Sequence, residues 1–296
     1  MSALLKHPSH KRSFEVPHGR SFGVSKDEIK KILKFVLNRS IEVKQTHFNG
    51  SPKSEILGLL YLTNFHSNGS TLLSGIKLSK LDNLNFNNYS ITWKCSSKKG
   101  NKGKLMIPKD VIKFINGQSK IISNTDTIKR LKSTRFCIIF LDIKKAKWTP
   151  NTDHANVLIF DRQGKEFERF EPHGCKDLFD YRLLDMELDQ LAKILNYKYI
   201  KPTFFLPTIG IQSIQEKERM DTKNERKGDP SGFCSIWCLY WIDFRLSFPD
   251  TNKELLMKSL LVILEKEKSY TDYIRGYSEY IFQTGKHLHK LRKNLL

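Results

Sequence analysis

Gly232-Phe233-Cys234-Ser235-Ile236-Trp237-Cys238-Leu239-Tyr240-Trp241-Ile242 is the stretch whose reading decides the fold. Loop-forming residues precede it at 227–231 (Lys-Gly-Asp-Pro-Ser), and the run that follows is apolar over helical length. A helix apolar on nearly every face belongs in a core rather than on a surface. Cys234 falls in its first turn. There the positive end of the helix dipole favours the anionic sulfur that attacks carbonyls. A single cysteine on such a helix is more often a packed structural residue. What changes that balance is a base and an acid elsewhere in the chain that can reach it.

Three strands lie upstream. Residues 135–143 read as a buried strand, 154–161 as a second and 166–171 as a third, with Arg162-Gln163-Gly164-Lys165 as the tight turn between the last two. In such a hairpin the start of one strand lies beside the end of the other. His154 and Glu171, seventeen residues apart, are therefore expected to be neighbours. A thiolate nucleophile needs a base to take its proton and an acid to orient that base. His154 is the candidate base, Glu171 the candidate orienting acid and Cys234 the candidate nucleophile. Asn156 shares a face with His154 by the period of two and is expected to support the imidazole or the substrate. His173, two residues past Glu171, is a rival base, although it follows Pro172 in a turn. Gln212, or less readily Gln215, follows the apolar segment 203–211 and is the candidate oxyanion donor beside the Cys234 backbone N–H.

The rest of the chain sets bounds. It has 296 residues, 28% charged and 39% hydrophobic, which is ordinary for a globular protein. The net charge of +20 is not ordinary and suits polyanionic partners, nucleic acid among them. No apolar run spans a bilayer and the N-terminus has no apolar signal core, so neither a membrane span nor a signal peptide is expected. The five cysteines lack disulfide or zinc spacing, so reduced thiols and no metal or cofactor are expected. Residues 1–24 read as a flexible basic arm. Ser25 and Glu28 open a helix striped by Ile32, Leu33 and Val36. Residues 66–75 read as a turn, 89–95 as a strand, 96–104 as a basic loop and 108–116 as a short helix. The boundary expected near 120 separates an N-terminal α/β extension, 1–120, from a catalytic domain, 121–296. Beyond the hairpin come a helix at 180–195, a strand at 197–200 and a charged surface loop at 220–230. A capping box at Thr251 and Glu254 opens a further helix, and the stripe Tyr270, Tyr273, Tyr277 and Tyr280 is expected to pack on the core.

The order His154, Glu171, Gln212, Cys234 resembles the SUMO/ubiquitin-like-protein-specific proteases and the adenoviral processing protease, over roughly residues 135–245. In that family a histidine opens a strand ending in Asp, here Asp161, and an acid follows one hairpin later. The family nucleophile sits in Gly-x-Cys-Gly-x-aromatic, and Gly232-Phe233-Cys234-Ser235-Ile236-Trp237 is similar. Glu168-Arg169-Phe170-Glu171-Pro172-His173-Gly174 looks like members from large DNA viruses. The resemblance implies an α+β fold with a papain-like site in permuted chain order, its central cysteine helix packed on a mostly antiparallel sheet. It implies a cysteine peptidase with a protein substrate. That substrate is a viral polyprotein cut during maturation in the virion or host cytoplasm, or alternatively a ubiquitin or SUMO-type conjugate. A different class of reading is a basic nucleic-acid-binding protein with an inactive protease-like core. There are departures: Ala155 stands where the family often has tryptophan, and Ser235 replaces glycine. The family glutamine usually lies a few residues before the cysteine, near Lys227, whereas Gln212 is 22 residues before it, which makes 220–230 an expected insertion.

Overall fold

Residues 154–161, His-Ala-Asn-Val-Leu-Ile-Phe-Asp, form a strand covered on both faces, and the molecule is layered around it. The structure, a computed structural model, describes residues 26–39, 58, 61–62, 71–73, 90–96, 102–116, 135–144, 154–175, 181–226, 229–230, 232–267 and 269–293. In chain order the elements are α1 (Lys26–Asn38), β1 (Thr71–Leu73), β2 (Ile91–Cys95), β3 (Gly103–Met106), α2 (Lys109–Ile115), β4 (Phe136–Lys144), β5 (His154–Asp161) and β6 (Glu166–Phe170). Then follow α3 (Arg182–Leu195), β7 (Lys198–Ile200), a 3-10 turn (Pro202–Phe204), α4 (Ile211–Thr222), α5 (Cys234–Ser247), α6 (Lys253–Glu267) and α7 (Tyr270–Lys293).

β5 is antiparallel to β4 on one side and to β6 on the other. The sheet runs β3-β2-β4-β5-β6-β7, with β1 beside the first half of β4 and β2 beside its second half. The expected mostly antiparallel sheet is corrected to a mixed one: three ladders are antiparallel and three parallel among the described residues. Parallel pairing needs a long crossover. The chain supplies one through α3, which returns it from β6 to β7.

Alternation along the strands divides the core. Cys137, Ile139, Leu141, Leu158, Phe160 and Phe167 face α2 and α3. Phe136, Ile138, Val157, Ile159 and Phe170 face α5 and the helices behind it. A central strand with helices on both faces must be apolar where both cover it, as β5 is from Val157 to Phe160. The boundary expected near 120 marks no break in this sheet. β2 pairs directly with β4, and Phe35 of α1 stacks on Phe244 of α5 at 5.2 Å between ring centroids. Within the span read as a turn, 71–73 form β1. Within the span read as a charged loop, α4 continues to Thr222. The cap of α6 is Asn252 rather than Thr251, its Oδ1 accepting from Leu255 N–H at 3.2 Å. The arm at 1–24 lies outside the described residues.

Every residue of α5 from Ile236 to Leu246 is buried. Trp241 stacks on Phe170 at 5.0 Å and donates through Nε1 to Glu168 Oε1 at 3.0 Å. Arg245 Nε donates to Glu168 Oε2 at 3.3 Å. Tyr273 and Tyr277 of α7 pack edge-on around Tyr240 at 5.5 and 4.9 Å, so the tyrosine stripe is core packing. No helix among the described residues is long and apolar enough to cross a membrane.

Glu168 carries the one carboxylate that ties α5 to β6 through both Trp241 and Arg245. Removing one partner of a buried pair leaves its mate uncompensated. Glu168→Ala is expected to lower unfolding free energy by about 3–5 kcal/mol in chemical denaturation. A loss below about 1 kcal/mol would mean that the carbonyl oxygens near Arg245 suffice as its partners.

Candidate active site

The hairpin register brings the acid to the base. Val157 pairs with Phe170, so the residue after Phe170 comes level with Asn156, two short of His154. Glu171, 1% exposed, accepts from His154 Nε2 at 2.6 Å and from the His173 backbone N–H at 3.0 Å, both at Oε1. Its Oε2 accepts from Asn156 Nδ2 at 2.8 Å. A carboxylate only accepts, so the proton at this contact belongs to His154 Nε2. Asn156 is held in turn: its Oδ1 accepts from Arg169 Nη1 at 2.8 Å. Arg169 pairs with Asp185 at 3.0 Å and donates through Nε to the Tyr199 hydroxyl at 3.1 Å.

Cys234 is the first residue of α5 and is partly exposed. Its side chain lies near enough to the His154 ring to favour that ring's charged form. With Nε2 engaged by Glu171, Nδ1 is the ring nitrogen left for sulfur. One turn further on, Cys238 Sγ lies 3.5 Å from the Ala155 carbonyl oxygen. Ala155 follows His154 on β5, so the contact places the first turns of α5 at the start of that strand. The structure thus places Cys234 beside His154, and His154 is bonded to Glu171.

Electrostatics follow from the burial. Desolvation works against charge on His154, but the Glu171 carboxylate and the Cys234 side chain outweigh it and raise its pKa to about 10. Desolvation also works against charge on Glu171, yet the His154 ring, Arg169 and the His173 N–H hold it well below the ordinary carboxylate range. The pair is an ion pair at neutral pH.

His173 is not the base bonded to Glu171; it contributes its backbone N–H instead. Its ring lies beside that of His154, 4.9 Å between centroids, and Nδ1 is 3.0 Å from Ser213 Oγ. Ser213 Oγ donates its proton to the His173 carbonyl at 3.2 Å, so Nδ1–H is the donor in the ring contact.

Gln212 reaches the site through interlocked backbones. Gly210 N–H donates to the His173 carbonyl at 2.7 Å, and Gln212 N–H donates to the Pro172 carbonyl at 3.0 Å. A Cβ on Gly210 would stand 2.3 Å from Gly174 N and from Pro172 O, and Gly174 has φ +98°. Only glycine fits that approach and that turn. Gln212, 2% exposed, donates through Nε2 to Glu216 Oε1 at 2.8 Å. The same Nε2 lies 3.2 Å from where a Cβ on Gly232 would stand, two residues before Cys234. Gln215 is not within 4 Å of that point. Of the two glutamines, Gln212 is the one at the cysteine loop.

Sequence reading missed the residues that hold this loop. Arg275 on α7, fully buried, bonds Asp229 through Nε at 3.0 Å and the Asn224 carbonyl at 2.7 Å. Glu218 of α4 accepts from the N–H groups of Tyr270 and Thr271 at 2.9 and 3.0 Å, capping α7. A charge inside a strand placed next to the buried β5, as Arg169 is in β6, was a signal available for the support of Glu171.

No family model matches the chain. A curated relative, the putative ankyrin repeat protein L371 of Acanthamoeba polyphaga mimivirus, is 35% identical over 158 residues, which is 48% of this chain and 20% of that protein. The chain thus spans about a fifth of the length of the relative it matches. Among solved structures, the chain is similar to ChlaDub1 from Chlamydia trachomatis, with TM-score 0.46 and 12% identity over 84% of this chain and 96% of that one. The Chlamydia trachomatis effector Cdu1 bound to ubiquitin gives 0.44 and 11%, over 82% and 95%. The SUMO protease Ulp1, with its catalytic cysteine oxidised to a sulfenic acid, gives 0.36 and 9%, over 90% and 97%.

The ion pair sets the sign of a pH effect. A raised histidine adds stability that is full below its unfolded value, about 6.5, and is lost as pH rises through the folded value. The difference in unfolding free energy between wild type and His154→Gln is expected to be largest near pH 5.5–6.5 and to shrink toward about pH 10. Equilibrium denaturation across that range reads it, and a difference that grows with pH contradicts the pairing.

Proposed function

We propose that the chain is a cysteine peptidase with Cys234 as nucleophile, His154 as general base and then acid, and Glu171 as the group that orients and charges the imidazole. The observation that carries this reading is a partly exposed cysteine at a helix start, set beside a buried imidazole that is bonded at 2.6 Å to a buried carboxylate. A structural ion pair needs no thiol on the free side of the ring. Here the third member is a sulfur at a helix N-terminus, where backbone N–H groups have no partner inside the helix.

The steps follow from the arrangement. His154, charged beside Glu171 at neutral pH, already holds on Nδ1 the proton given up by the Cys234 sulfur, and the sulfur attacks the carbonyl carbon of a peptide or isopeptide bond. Negative charge develops on the carbonyl oxygen, to be met by the Cys234 backbone N–H and the Gln212 amide. The imidazolium returns its proton to the leaving amine as the carbon–nitrogen bond breaks. Water, deprotonated by His154, then releases the acyl group from sulfur.

Two protein substrates are proposed. One is a viral polyprotein, in keeping with a basic chain of net charge +20 and a mimivirus relative. The other is a ubiquitin-like conjugate, the class offered by the name of the Chlamydia trachomatis effector solved with ubiquitin. A panel of ubiquitin-type C-terminal electrophiles and short Gly-Gly-containing peptides separates them by which one labels or is cut.

Cys234→Ala and His154→Ala are each expected to lower cleavage at least ~10³-fold while the circular dichroism spectrum stays native. In wild type, iodoacetamide at neutral pH is expected to modify Cys234 ahead of the buried Cys95, Cys137 and Cys238. Cleavage that persists in Cys234→Ala would end the assignment, and an unreactive Cys234 would favour the inactive, nucleic-acid-binding reading.

A further inference from the structure

We propose that Glu216 is a positioning residue that sets which end of the Gln212 amide faces the cysteine loop, and so prepares the oxyanion donor. The inference rests on the peptidase reading above and goes one step past it.

Gln212 and Glu216 are one helical turn apart on α4, and Gln212 Nε2 donates to Glu216 Oε1 at 2.8 Å. At the other end, Gln212 Oε1 is buried and accepts no hydrogen bond from the described residues. The amide is therefore oriented from its nitrogen end alone. A carboxylate cannot donate, so it selects the nitrogen and rejects a flipped amide that would bring oxygen against oxygen. The Nε2 group has two protons. Glu216 takes one, which leaves the second on an atom 3.2 Å from the Cβ position of Gly232. Glu216 Oε1 is itself 3.9 Å from that position, so the pair lies together against the chain that delivers Cys234. The other oxygen, Oε2, lies 3.9 Å from His173 Nδ1, and the His173 backbone N–H donates to Glu171. One carboxylate thereby adjoins both the oxyanion side and the base side of the site. Glu216 itself is half-exposed at the surface of α4, with 26% of its side chain accessible, so its removal opens no core cavity.

The test separates positioning from folding. Hydrolysis forms an oxyanion; alkylation by iodoacetamide does not, because sulfur displaces iodide from a saturated carbon. Glu216→Ala is expected to lower kcat about 10- to 100-fold with KM nearly unchanged, a part of what an oxyanion donor contributes. The substrate is whichever probe of the panel wild type cuts. The rate of Cys234 alkylation and the Tm are expected to stay at wild-type values. Glu216→Gln, which keeps an accepting oxygen, is expected to recover most of the loss. Adding Glu216→Ala to Gln212→Ala is expected to cost nothing further, since the first residue acts through the second. Wild-type turnover in Glu216→Ala overturns the proposal. So do losses that add to those of Gln212→Ala, or alkylation and Tm that fall along with hydrolysis. A wild-type chain that cuts no probe and whose Cys234 is unreactive removes the peptidase reading, and this inference goes with it.

Discussion

A carboxylate at 1% exposure is the constraint on which the rest of the site depends. An isolated buried anion is prohibitively unfavourable, and a paired one is tolerated only when its oxygens are also hydrogen-bonded. Glu171 meets that demand with the imidazole, the Asn156 amide and a backbone N–H, and with Arg169 at 3.8 Å. Arg169 brings its own cost as a buried cation, which Asp185 and Tyr199 offset from α3 and β7. Each partner requires the next. The imidazole is therefore not free to swing, and its orientation toward the helix start follows from charge compensation deep in the sheet.

The sulfur reaches that imidazole by a separate route. α5 is positioned by its burial on all sides, by Trp241 on Phe170, and by Glu168 beneath Arg245. One turn into α5, Cys238 sits on the Ala155 carbonyl, next to His154 on β5. The loop leading in is held from behind by Arg275, and α4 is held from the side by the Gly174–Gly210 contact. Three independent constraints thus converge on a few ångströms. Such convergence is the pre-organisation that the proposed acyl transfer requires, with rigid elements carrying Cys234, His154 and Glu171 and loops only joining them.

The features legible in the sequence are those governed by short-range geometry. A hairpin has one register once its turn is fixed, so His154, Asn156 and Glu171 could be put together from strand length and the period of two. A run such as 236–246, without a polar face, has only the core to go to. Gln212 was separable from Gln215 only in three dimensions, because both are buried on one helix and three residues make a turn. The expected insertion at 220–230 became part helix, part clamped loop, and its anchor, Arg275, lies 46 residues from Asp229 along the chain.

The sequence by itself determined the local hairpin, the buried helix and the three residue types that chemistry needs, since each follows from neighbours a few positions apart. Only the tertiary structure decided that β1 and β2 pair in parallel with β4, that Gly210 meets Gly174 at backbone contact, and that Glu216 faces Gln212 beside Gly232. Those arrangements come from close packing between distant segments. No periodicity in a linear chain records which distant surfaces will fill each other's gaps.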